Sequence, residues 1–355
     1  MNSILVIGNN VRNVVQSARK AGYKVLALTN YFDADLFLYA ERVEKIKSER
    51  IGKQATRLAE ESGAYVVLTS GFEDLKLNAP ILGSEHKAIK EVVDKLRFYK
   101  RLENAGIPFP ELVSKNEEDF KKIIAKPRKG GGGEEIHFLN ELNKAEKSDY
   151  IYQRYIDGIP CSVSLIASEN YVVPIAINKM FVGWKEMNAD GFRYCGNLTP
   201  FIVDSEEKNE LIKIAVETAS LFNLLGSVGV DFILADKPYV LELNPRFQGS
   251  LDSIEWSCDT NLFKLHVKGF FGEKIEKTRY SRIAARAILF ADKKVDIRCS
   301  PIGNPFFADI PFVNQTYESK DPVVSILSAD KSESEVINKI IERKKIFYNL
   351  QNWNL

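Results

Sequence analysis

The chain has 355 residues, and this length predicts two or three domains because single domains average about 150 residues. Its 45% hydrophobic, 27% charged and 11% aromatic residues are typical of a globular protein and exclude a disordered, collagen-like or coiled-coil chain. The 49 Lys and Arg nearly balance the 48 Asp and Glu, so a net charge of +1 gives no overall basic surface for nucleic acid. No apolar stretch approaches the roughly 20 residues of a membrane span, and the first residues lead into a strand rather than a signal peptide, so a cytoplasmic protein is expected.

Strands and helices alternate through the first third of the chain. Apolar runs and helical spacing predict three strands with a helix between each pair: strands Ile4–Gly8, Lys24–Thr29 and Tyr65–Thr69, and helices Val11–Ala21 and Ile51–Gly63. This order requires a parallel sheet with helices on both faces, and ligands bind beyond the carboxyl ends of such strands. The sequence GNNVRN after the first strand keeps only the first glycine of the dinucleotide motif G-x-G-x-x-G, which argues against a nicotinamide-dependent dehydrogenase.

A run of four glycines marks a second candidate ligand site. Gly130, Gly131, Gly132 and Gly133 stand between the predicted strands Ile123–Lys126 and Ile136–Leu139. A loop between two strands differs from the Walker loop, which leads into a helix. Without Cβ atoms its N–H groups can converge on phosphate oxygens, and Lys126 adds a positive charge. The alternative is a flexible turn, but Arg128 and Lys129 favour the phosphate site.

The segment from residue 229 to residue 246 carries the most informative chemical pattern. A hairpin closed by the four-residue turn 235–238 pairs Leu234 with Tyr239. Counting back along both strands then places Asp231 opposite Glu242. Two carboxylates that face each other across a ladder repel and destabilise the sheet unless a cation lies between them.

Asn244 lies on the same face as Glu242 because side chains alternate along a strand. Two carboxylates and an amide oxygen are hard ligands, so Asp231, Glu242 and Asn244 predict a site for Mg²⁺ or Mn²⁺ rather than zinc or copper. Magnesium keeps several waters and commonly binds substrate phosphates, so the hairpin also predicts a nucleotide. The alternative is an exposed hairpin whose acidic side chains face water.

Four motifs occur in the order and spacing of the ATP-grasp superfamily. They are Lys95 within VVDKLRFYKRLENAGIPFP, Lys126 within IIAKPRKGGGGEE, the stretch Tyr150–Gly158, and Asp231 followed by ELNPR from Glu242 to Arg246. The chain resembles this superfamily over nearly its whole length. It looks closest to the biotin carboxylase-like branch, which includes archaeal ATP-dependent carboligases of unassigned substrate.

The resemblance implies roles in nucleotide binding for matching residues. It implies that Lys95 and Lys126 contact the ATP phosphates beneath the glycine loop. It also implies that Gln153 faces the adenine amino group and that the backbone near Tyr155 and Ile156 binds the adenine edge.

Two positions depart from the family pattern. Gln153 stands where glutamate is common, although its amide still offers a hydrogen-bond acceptor. The downstream acid that often binds the ribose is missing, since Pro160 and Cys161 fill that region. Asp157 is the candidate replacement.

For the metal hairpin, the resemblance implies that Asp231, Glu242 and Asn244 hold one or two magnesium ions. Arg246 would stabilise charge on the phosphoryl or acyl intermediate, and Lys126 would assist at the phosphates. These two residues are therefore the candidate catalytic residues.

The acceptor substrate is expected at the carboxyl ends of the N-terminal strands. The candidate residues there, which should converge on Arg246, are Asn9, Asn10, Gly71, Phe72 and Glu73. Glu73 is a candidate for fixing a substrate amine, with a helix cap or a hydrogen-bond anchor as the alternative. The stretches Lys179–Trp184 and Phe192–Asn197 mix aromatic, glycine and cationic residues, and either line an acceptor pocket or form a surface loop.

The resemblance, together with the alternating strands and helices of the first third, implies an α/β and α+β protein with an ATP-grasp fold preceded by a Rossmann-like, pre-ATP-grasp domain. The expected domains are residues 1–92 (N-terminal α/β domain), 93–160 (small lid subdomain) and 161–355 (large subdomain with the metal hairpin). A charged helical stretch is predicted over His86–Asn104, and a charged amphipathic helix from about Glu333 to the end.

The resemblance also implies a reaction. A carboxylate would attack the γ-phosphate of Mg-ATP to give an acyl phosphate, which an amine-type nucleophile captures with release of ADP and phosphate. The alternatives are an ATP-grasp carboxylase or kinase-type enzyme that uses bicarbonate, and a non-catalytic ATP-binding regulatory module. The expected partners are small carboxylates and amines, with no nucleic acid and no membrane, and a homodimer is possible. The motifs report on ATP, so they identify neither the acid nor the amine.

Overall fold

The computed structural model describes residues 1–114, 122–133, 135–141 and 149–353. Three main β-sheets follow one another along the chain: a parallel sheet, a small antiparallel sheet and a large antiparallel sheet. Each sheet contributes one edge or one connecting loop to the same cavity, as described below.

The N-terminal sheet has four parallel strands in the order β3-β2-β1-β4. Its elements are β1 (Ser3–Gly8), α1 (Arg12–Lys20), β2 (Lys24–Thr29), β3 (Arg42–Lys45), α2 (Ile51–Ser62) and β4 (Tyr65–Leu68). The predicted parallel sheet and its two helices are confirmed. Strand β3 was not predicted, because this edge strand is partly exposed and its sequence RVEK contains no apolar run.

The helix predicted over His86–Asn104 is in fact two helices, α3 (His86–Val93) and α4 (Lys95–Asn104). Asp94 separates them with an extended backbone, and its carboxylate accepts hydrogen bonds from two N–H groups in the first turn of α4. An aspartate in this position starts a new helix by satisfying its unpaired N–H groups. The predicted helical stretch is therefore confirmed but divided at Asp94, and the break places Lys95 at the start of α4.

The small sheet has the order β6-β5-β7. Its strands are β5 (Ile123–Pro127), β6 (His137–Phe138) and β7 (Tyr150–Arg154). The glycine loop connects β5 to β6, so its predicted place between two strands is confirmed. Lys126 pairs with Ile151 of β7 and lies at the end of β5 next to this loop.

The large sheet has eight strands in the order β12-β11-β8-β9-β10-β13-β17-β15. These strands are β8 (Ile159–Ala167), β9 (Val172–Val182), β10 (Tyr194–Thr199), β11 (Gly226–Leu234), β12 (Pro238–Asn244), β13 (Ile283–Phe290), β15 (Phe307–Ala308) and β17 (Pro322–Asp330). Two short strands, β14 (Val295–Asp296) and β16 (Thr316–Tyr317), pair with each other outside this sheet. The remaining helices are α5 (Ser205–Ser220), α6 (Leu251–Ser257), α7 (Leu262–Phe270) and α8 (Glu333–Gln351). The predicted C-terminal helix is confirmed.

The domain division at 1–92, 93–160 and 161–355 stays a prediction. The three sheets fall close to these ranges, but β8 of the large sheet already begins at Ile159. Helix α3, which precedes the first boundary, packs against β12 of the large sheet. Its Val92 belongs to the same apolar cluster as Leu211 and Val230.

A buried ion network joins the N-terminal domain to the large sheet. Arg12 of α1 is 1% exposed and forms a two-pronged pair with Asp252 of α6, with N···O distances of 2.9 and 2.5 Å. Its Nε donates to Asp309 at 3.0 Å, and Asp35 lies 3.6 Å away. Arg286 of β13 donates to the other oxygen of Asp309 at 2.7 Å. Removing one charge from such a network leaves buried partners uncompensated.

Replacing Arg12 with Met should lower the free energy of unfolding by about 3–5 kcal/mol, because the buried carboxylates of Asp35, Asp252 and Asp309 lose a shared cation. Arg19→Met is the matched control on the same helix. Its partner Glu41 is 3.5 Å away and both side chains are about half exposed, so the control should cost less than about 1 kcal/mol. Urea unfolding measures both variants, and equal losses would contradict this role of the network.

Candidate active site

A cavity of about 1670 Å³ lies between the three sheets. It exceeds the roughly 300–1,000 Å³ of a typical single-ligand pocket, so it has room for a nucleotide and a second substrate. Its walls come from the ends of β1, β2 and β4, from the glycine loop, and from the β11–β12 hairpin.

The hairpin places Asp231 directly opposite Glu242, as predicted. The predicted pairing of Leu234 with Tyr239 is wrong, because Leu234 pairs with Pro238 across a tighter turn. A β-bulge between Asp231 and Phe232 adds one residue on β12. The extra residue cancels the register error at the turn and restores the predicted partner of Asp231. The acidic pair is therefore correct although the predicted register at the turn is not.

The charged form of the Asp231 carboxylate is disfavoured by its surroundings. Burial and the neighbouring charge of Glu242 raise the pKa of Asp231 to about 7. The amide nitrogen of Asn244 donates to Asp231 at 3.0 Å, and Arg246 donates to the amide oxygen of Asn244 at 3.0 Å. A bound cation would relieve the repulsion between the two carboxylates.

The oxygen donors of the hairpin fit a magnesium ion. Within the described ranges, no three His, Cys, Asp or Glu side chains gather into a metal site. The candidate site is thus limited to the two carboxylates and the amide of Asn244, and further ligands would come from water and phosphate. Mg²⁺ commonly binds in this way, through one or two carboxylates plus substrate phosphates.

Lys126 is linked to the metal hairpin through Tyr99. Lys126 is 5% exposed and donates to the Tyr99 hydroxyl at 2.6 Å, which in turn donates to the carbonyl of Leu241 at 2.6 Å. Burial and the nearby charge of Lys95 lower the pKa of Lys126 to about 7. Tyr99 was missed in the sequence analysis, although it stands four residues after Lys95 and so shares a face of α4 with it.

The glycine loop lies next to Glu242 of the hairpin and to Lys95 of α4. The ammonium group of Lys95 donates to the carbonyl of Gly130 at 2.5 Å. A Cβ atom at Gly131 would lie 3.4 Å from a carboxylate oxygen of Glu242. Gly130, Gly132 and Gly133 all have positive φ angles, which other residues rarely adopt. The structure thus brings the loop, both lysines and the acidic pair together.

Arg128 does not belong to this group. Its guanidinium forms two hydrogen bonds with Asp94, at 2.8 and 2.6 Å, and it does not line the cavity. Arg128 therefore anchors the loop to the start of α4, and its contribution to a phosphate site stays a prediction. Lys129 does line the cavity.

The residues expected around adenine are only partly at the cavity. Tyr155 and Ile156 line it, but Gln153 and Asp157 do not. Gln153 is fully buried and its amide nitrogen donates to the carbonyl of Pro110 at 2.8 Å. The N–H of Tyr155 donates to the carbonyl of residue 122 at 2.6 Å, so this group is already engaged.

Four of the five residues predicted for the acceptor lie at the cavity. Asn9, Asn10, Gly71 and Glu73 line it, and Glu73 pairs with Arg246. Phe72 lies away from the cavity, because its side chain packs on the apolar cluster beneath β4. The acceptor role of these residues stays a prediction.

Position 71 requires glycine because the side chain of Asn9 lies too close for a Cβ atom. Gly71 has a φ angle of 86°, and a Cβ atom there would lie 2.3 Å from the amide nitrogen of Asn9. Asn9 also accepts a hydrogen bond from Asn30 at 2.7 Å, so the ends of β1, β2 and β4 meet at one point.

Parts of the two mixed stretches also reach the cavity. Met180, Val182, Phe192, Tyr194 and Asn197 line it. Cys195 instead is buried and donates its thiol to the carbonyl of Phe181 at 3.3 Å. Its surroundings are those of a structural cysteine.

Known proteins resemble this chain in sequence and fold. A family model for the ATP-grasp domain matches residues 92–250. An uncharacterized protein of Methanocaldococcus jannaschii is 29% identical over 95% of this chain and 91% of its own length. Tyramine–L-glutamate ligase of Methanocaldococcus fervens is 24% identical over 65% of this chain and 70% of its own length. Biotin carboxylase of Campylobacter jejuni, solved as a β-γ-ATP complex, has a TM-score of 0.78 at 15% identity and covers 98% of this chain and 91% of its own.

The ATP-grasp fold predicted from the sequence is therefore confirmed. The expected cofactors agree with the ATP-grasp homologues, which use ATP with Mg²⁺. Along the described part of the chain, no helix has the length and apolar character needed to span a bilayer.

Lys126→Ala should weaken ATP binding about 10- to 100-fold, because a buried charged hydrogen-bond donor to phosphate is lost. Arg128→Ala should weaken it less than about fivefold, since only a partly exposed ion pair with Asp94 is removed. Calorimetric titration with Mg-ATP compares the two variants. A larger loss for Arg128→Ala would show that the phosphates bind elsewhere.

Proposed function

We propose that this protein is an ATP-dependent ligase that activates a carboxylate as an acyl phosphate and transfers the acyl group to an amine. The observation that carries the proposal is the placement of two ligand sets in one cavity. The phosphate and metal groups are Lys95, Lys126, the glycine loop and the Asp231–Glu242 pair. Beside them lies the Glu73–Arg246 pair at the N-terminal strand ends.

In the proposed reaction, a carboxylate oxygen of the substrate attacks the γ-phosphorus of ATP. The bond between that phosphorus and the β–γ bridging oxygen breaks, and ADP leaves with the electron pair. The amine nitrogen then attacks the acyl carbon, inorganic phosphate leaves, and the amine loses a proton. Phosphoryl transfer of this kind depends on positioning and charge neutralisation rather than on a protein nucleophile.

Each group of the cavity has a part in this scheme. Lys95 and Lys126 neutralise phosphate oxygens, and Asp231, Glu242 and Asn244 hold magnesium, which when bound supplies further neutralisation of phosphate charge. Arg246 is fixed by Asn244 and by the carbonyl of Phe247, so its guanidinium is already oriented.

Glu73 and Arg246 together fit an acyl phosphate that meets an amine. The anionic intermediate would share the guanidinium of Arg246, and the Glu73 carboxylate beside it would accept a hydrogen bond from the N–H of the incoming amine. Both side chains are mostly buried, with exposed fractions of 15% and 18%, which strengthens such contacts.

We also propose a homodimer in the cytoplasm.

An ATP-grasp carboxylase is the second candidate, favoured by the structural likeness to biotin carboxylase. The two reactions differ in their need for bicarbonate and for an amine. A screen of ADP release over amino acids, hydroxy acids and bicarbonate, each with and without added amines, separates them. The proposal expects ADP release that requires both an organic carboxylate and an amine, whereas release with bicarbonate alone would support the carboxylase.

Glu242→Gln should abolish most of the magnesium dependence of ATP binding while the fold is retained. The substitution removes one of two facing carboxylates, so a cation is no longer needed to offset their repulsion. Calorimetry with ATP, in Mg²⁺ and in EDTA, measures the difference for each protein. Glu318→Gln, at an exposed ion pair with Lys294, is the control. Equal ATP affinity of the unsubstituted protein in Mg²⁺ and EDTA would reject the metal site.

A further inference from the structure

A row of small polar side chains crosses the large sheet from the acidic pair. Ser162 of β8 pairs directly with Asp231, and Asn178 of β9 pairs with Ser162. Thr199 of β10 lies on the far side of Asn178, within hydrogen-bond distance of it. Residues that pair across a ladder share one face of the sheet, so the row lies on the face that carries Asp231 and Glu242. Ser162 is 6% exposed, and Asn178 and Thr199 are fully buried.

The side-chain amide of Asn178 gives this row a direction. Its oxygen accepts a hydrogen bond from the hydroxyl of Thr199 at 2.6 Å. Its nitrogen, which carries two protons, donates to the hydroxyl oxygen of Ser162 at 3.1 Å and to that of Ser164 at 3.0 Å. Both serines act as acceptors in these contacts, so each must direct its own proton to another group.

The hydroxyl of Ser164 directs its proton to Ser250. The two hydroxyl oxygens lie 3.2 Å apart, and Ser164 is buried away from the cavity. Donation from Ser250 to Ser164 would leave the Ser164 proton buried without an acceptor, which is unfavourable. Ser250 precedes α6, but its hydroxyl makes no capping hydrogen bond with that helix.

Ser162 and Ser250 are thus the two ends of the network, and both line the cavity. Ser250 is 3% exposed, so both hydroxyls are more than nine-tenths buried. Among the residues that the structure describes, none accepts the proton of either hydroxyl. A buried donor without an acceptor is costly, so these two groups are suited to a ligand that accepts hydrogen bonds.

We propose that Ser162 and Ser250 bind the oxygens of the carboxylate substrate, and that Asn178 is a positioning residue that turns their protons into the cavity. This assignment rests on the proposed function. A carboxylate only accepts hydrogen bonds and an ammonium group only donates them, so two donated protons select the carboxylate.

The assignment also orients the two substrates. Ser162 stands directly opposite Asp231, so the carboxylate would lie on the large sheet beside the metal hairpin. The amine would lie at the ends of the N-terminal strands, where the Glu73 carboxylate offers an acceptor rather than a donor. The hydrogen-bonding polarity of the cavity thus fixes which substrate occupies which wall.

The test uses acetate as the probe, because acetate contains the carboxylate group and little else. Its dissociation constant is measured by NMR titration of the protein loaded with Mg-ADP. Ser162→Ala and Ser250→Ala should each weaken acetate roughly tenfold, the effect of one lost hydrogen bond to a charged group, and should leave Mg-ADP within twofold. Ser168→Ala is the matched control, since Ser168 is 6% exposed, follows β8 directly and does not line the cavity.

Asn178→Asp separates positioning from packing. Aspartate has nearly the same shape but offers an acceptor where the amide nitrogen donates, so Ser162 would turn its proton away from the cavity. The substitution should weaken acetate at least as much as either serine variant does. In the Ser162→Ala/Ser250→Ala double variant it should change acetate affinity less than threefold, because the donors through which it acts are absent. An equal loss in both backgrounds would show that Asn178 does not act through the serines.

Neutron diffraction from the deuterated protein shows the proton directions themselves. We expect the Asn178 nitrogen to face the two serines, and a finding that its oxygen faces them would overturn the assignment. Acetate affinity that stays within twofold in both serine variants would also overturn it, as would an unsubstituted protein that binds Mg-ADP but not acetate. An unsubstituted protein that fails to bind Mg-ADP would instead reject the proposed function.

Discussion

The repulsion between Asp231 and Glu242 is the constraint around which the site is organised. The hairpin holds the two carboxylates at one register position, where desolvation and the charge of Glu242 raise the pKa of Asp231. Asn244 donates a hydrogen bond to Asp231 and accepts one from Arg246, Lys126 lies buried near the charge of Glu242, and Gly131 lies beside Glu242. A divalent cation would complete this balance, and a triphosphate would complete the coordination of the cation.

A second constraint fixes the position of the N-terminal sheet relative to the β11–β12 hairpin. Two contacts do this. The Glu73–Arg246 pair joins the loop after β4 to the segment after β12. The Arg12 network ties α1 to Asp252 and Asp309 behind the cavity. Because the Arg12 network is buried and the Glu73–Arg246 pair is mostly so, the N-terminal domain is positioned by charge as well as by apolar packing.

The spacing of apolar residues was enough to predict the strands and helices in which that spacing is regular. The apolar strands and amphipathic helices of the N-terminal sheet follow directly from such periods, whereas the partly exposed β3 has none. The division between α3 and α4 escaped prediction because Asp94 is an ordinary residue within a helical pattern until its capping contacts form. The Asp231–Glu242 pair was predicted correctly only because the tighter turn and the β-bulge compensate for each other.

The convergence of the lysines, the glycines and the acidic pair on one cavity was predictable because each residue type by itself indicates its chemistry, and their roles stay predictions. A contact with a partner far along the chain was not predictable. Tyr99 joins Lys126 to the carbonyl of Leu241, and this pairing has no signature in local sequence. Arg128 and Phe72 have suitable chemistry in suitable segments, but Asp94 engages the first and the apolar core takes the second.

The acidic pair is tested most directly by locating the metal. Crystals grown with Mn²⁺ and a non-hydrolysable ATP analogue would show the ion by its anomalous scattering. We expect a peak bound by oxygens of Asp231 and Glu242 and by the analogue's phosphates, beneath the glycine loop. A nucleotide bound in the cavity with no ion at this hairpin, or with the ion on other side chains, would contradict a metal site at Asp231 and Glu242.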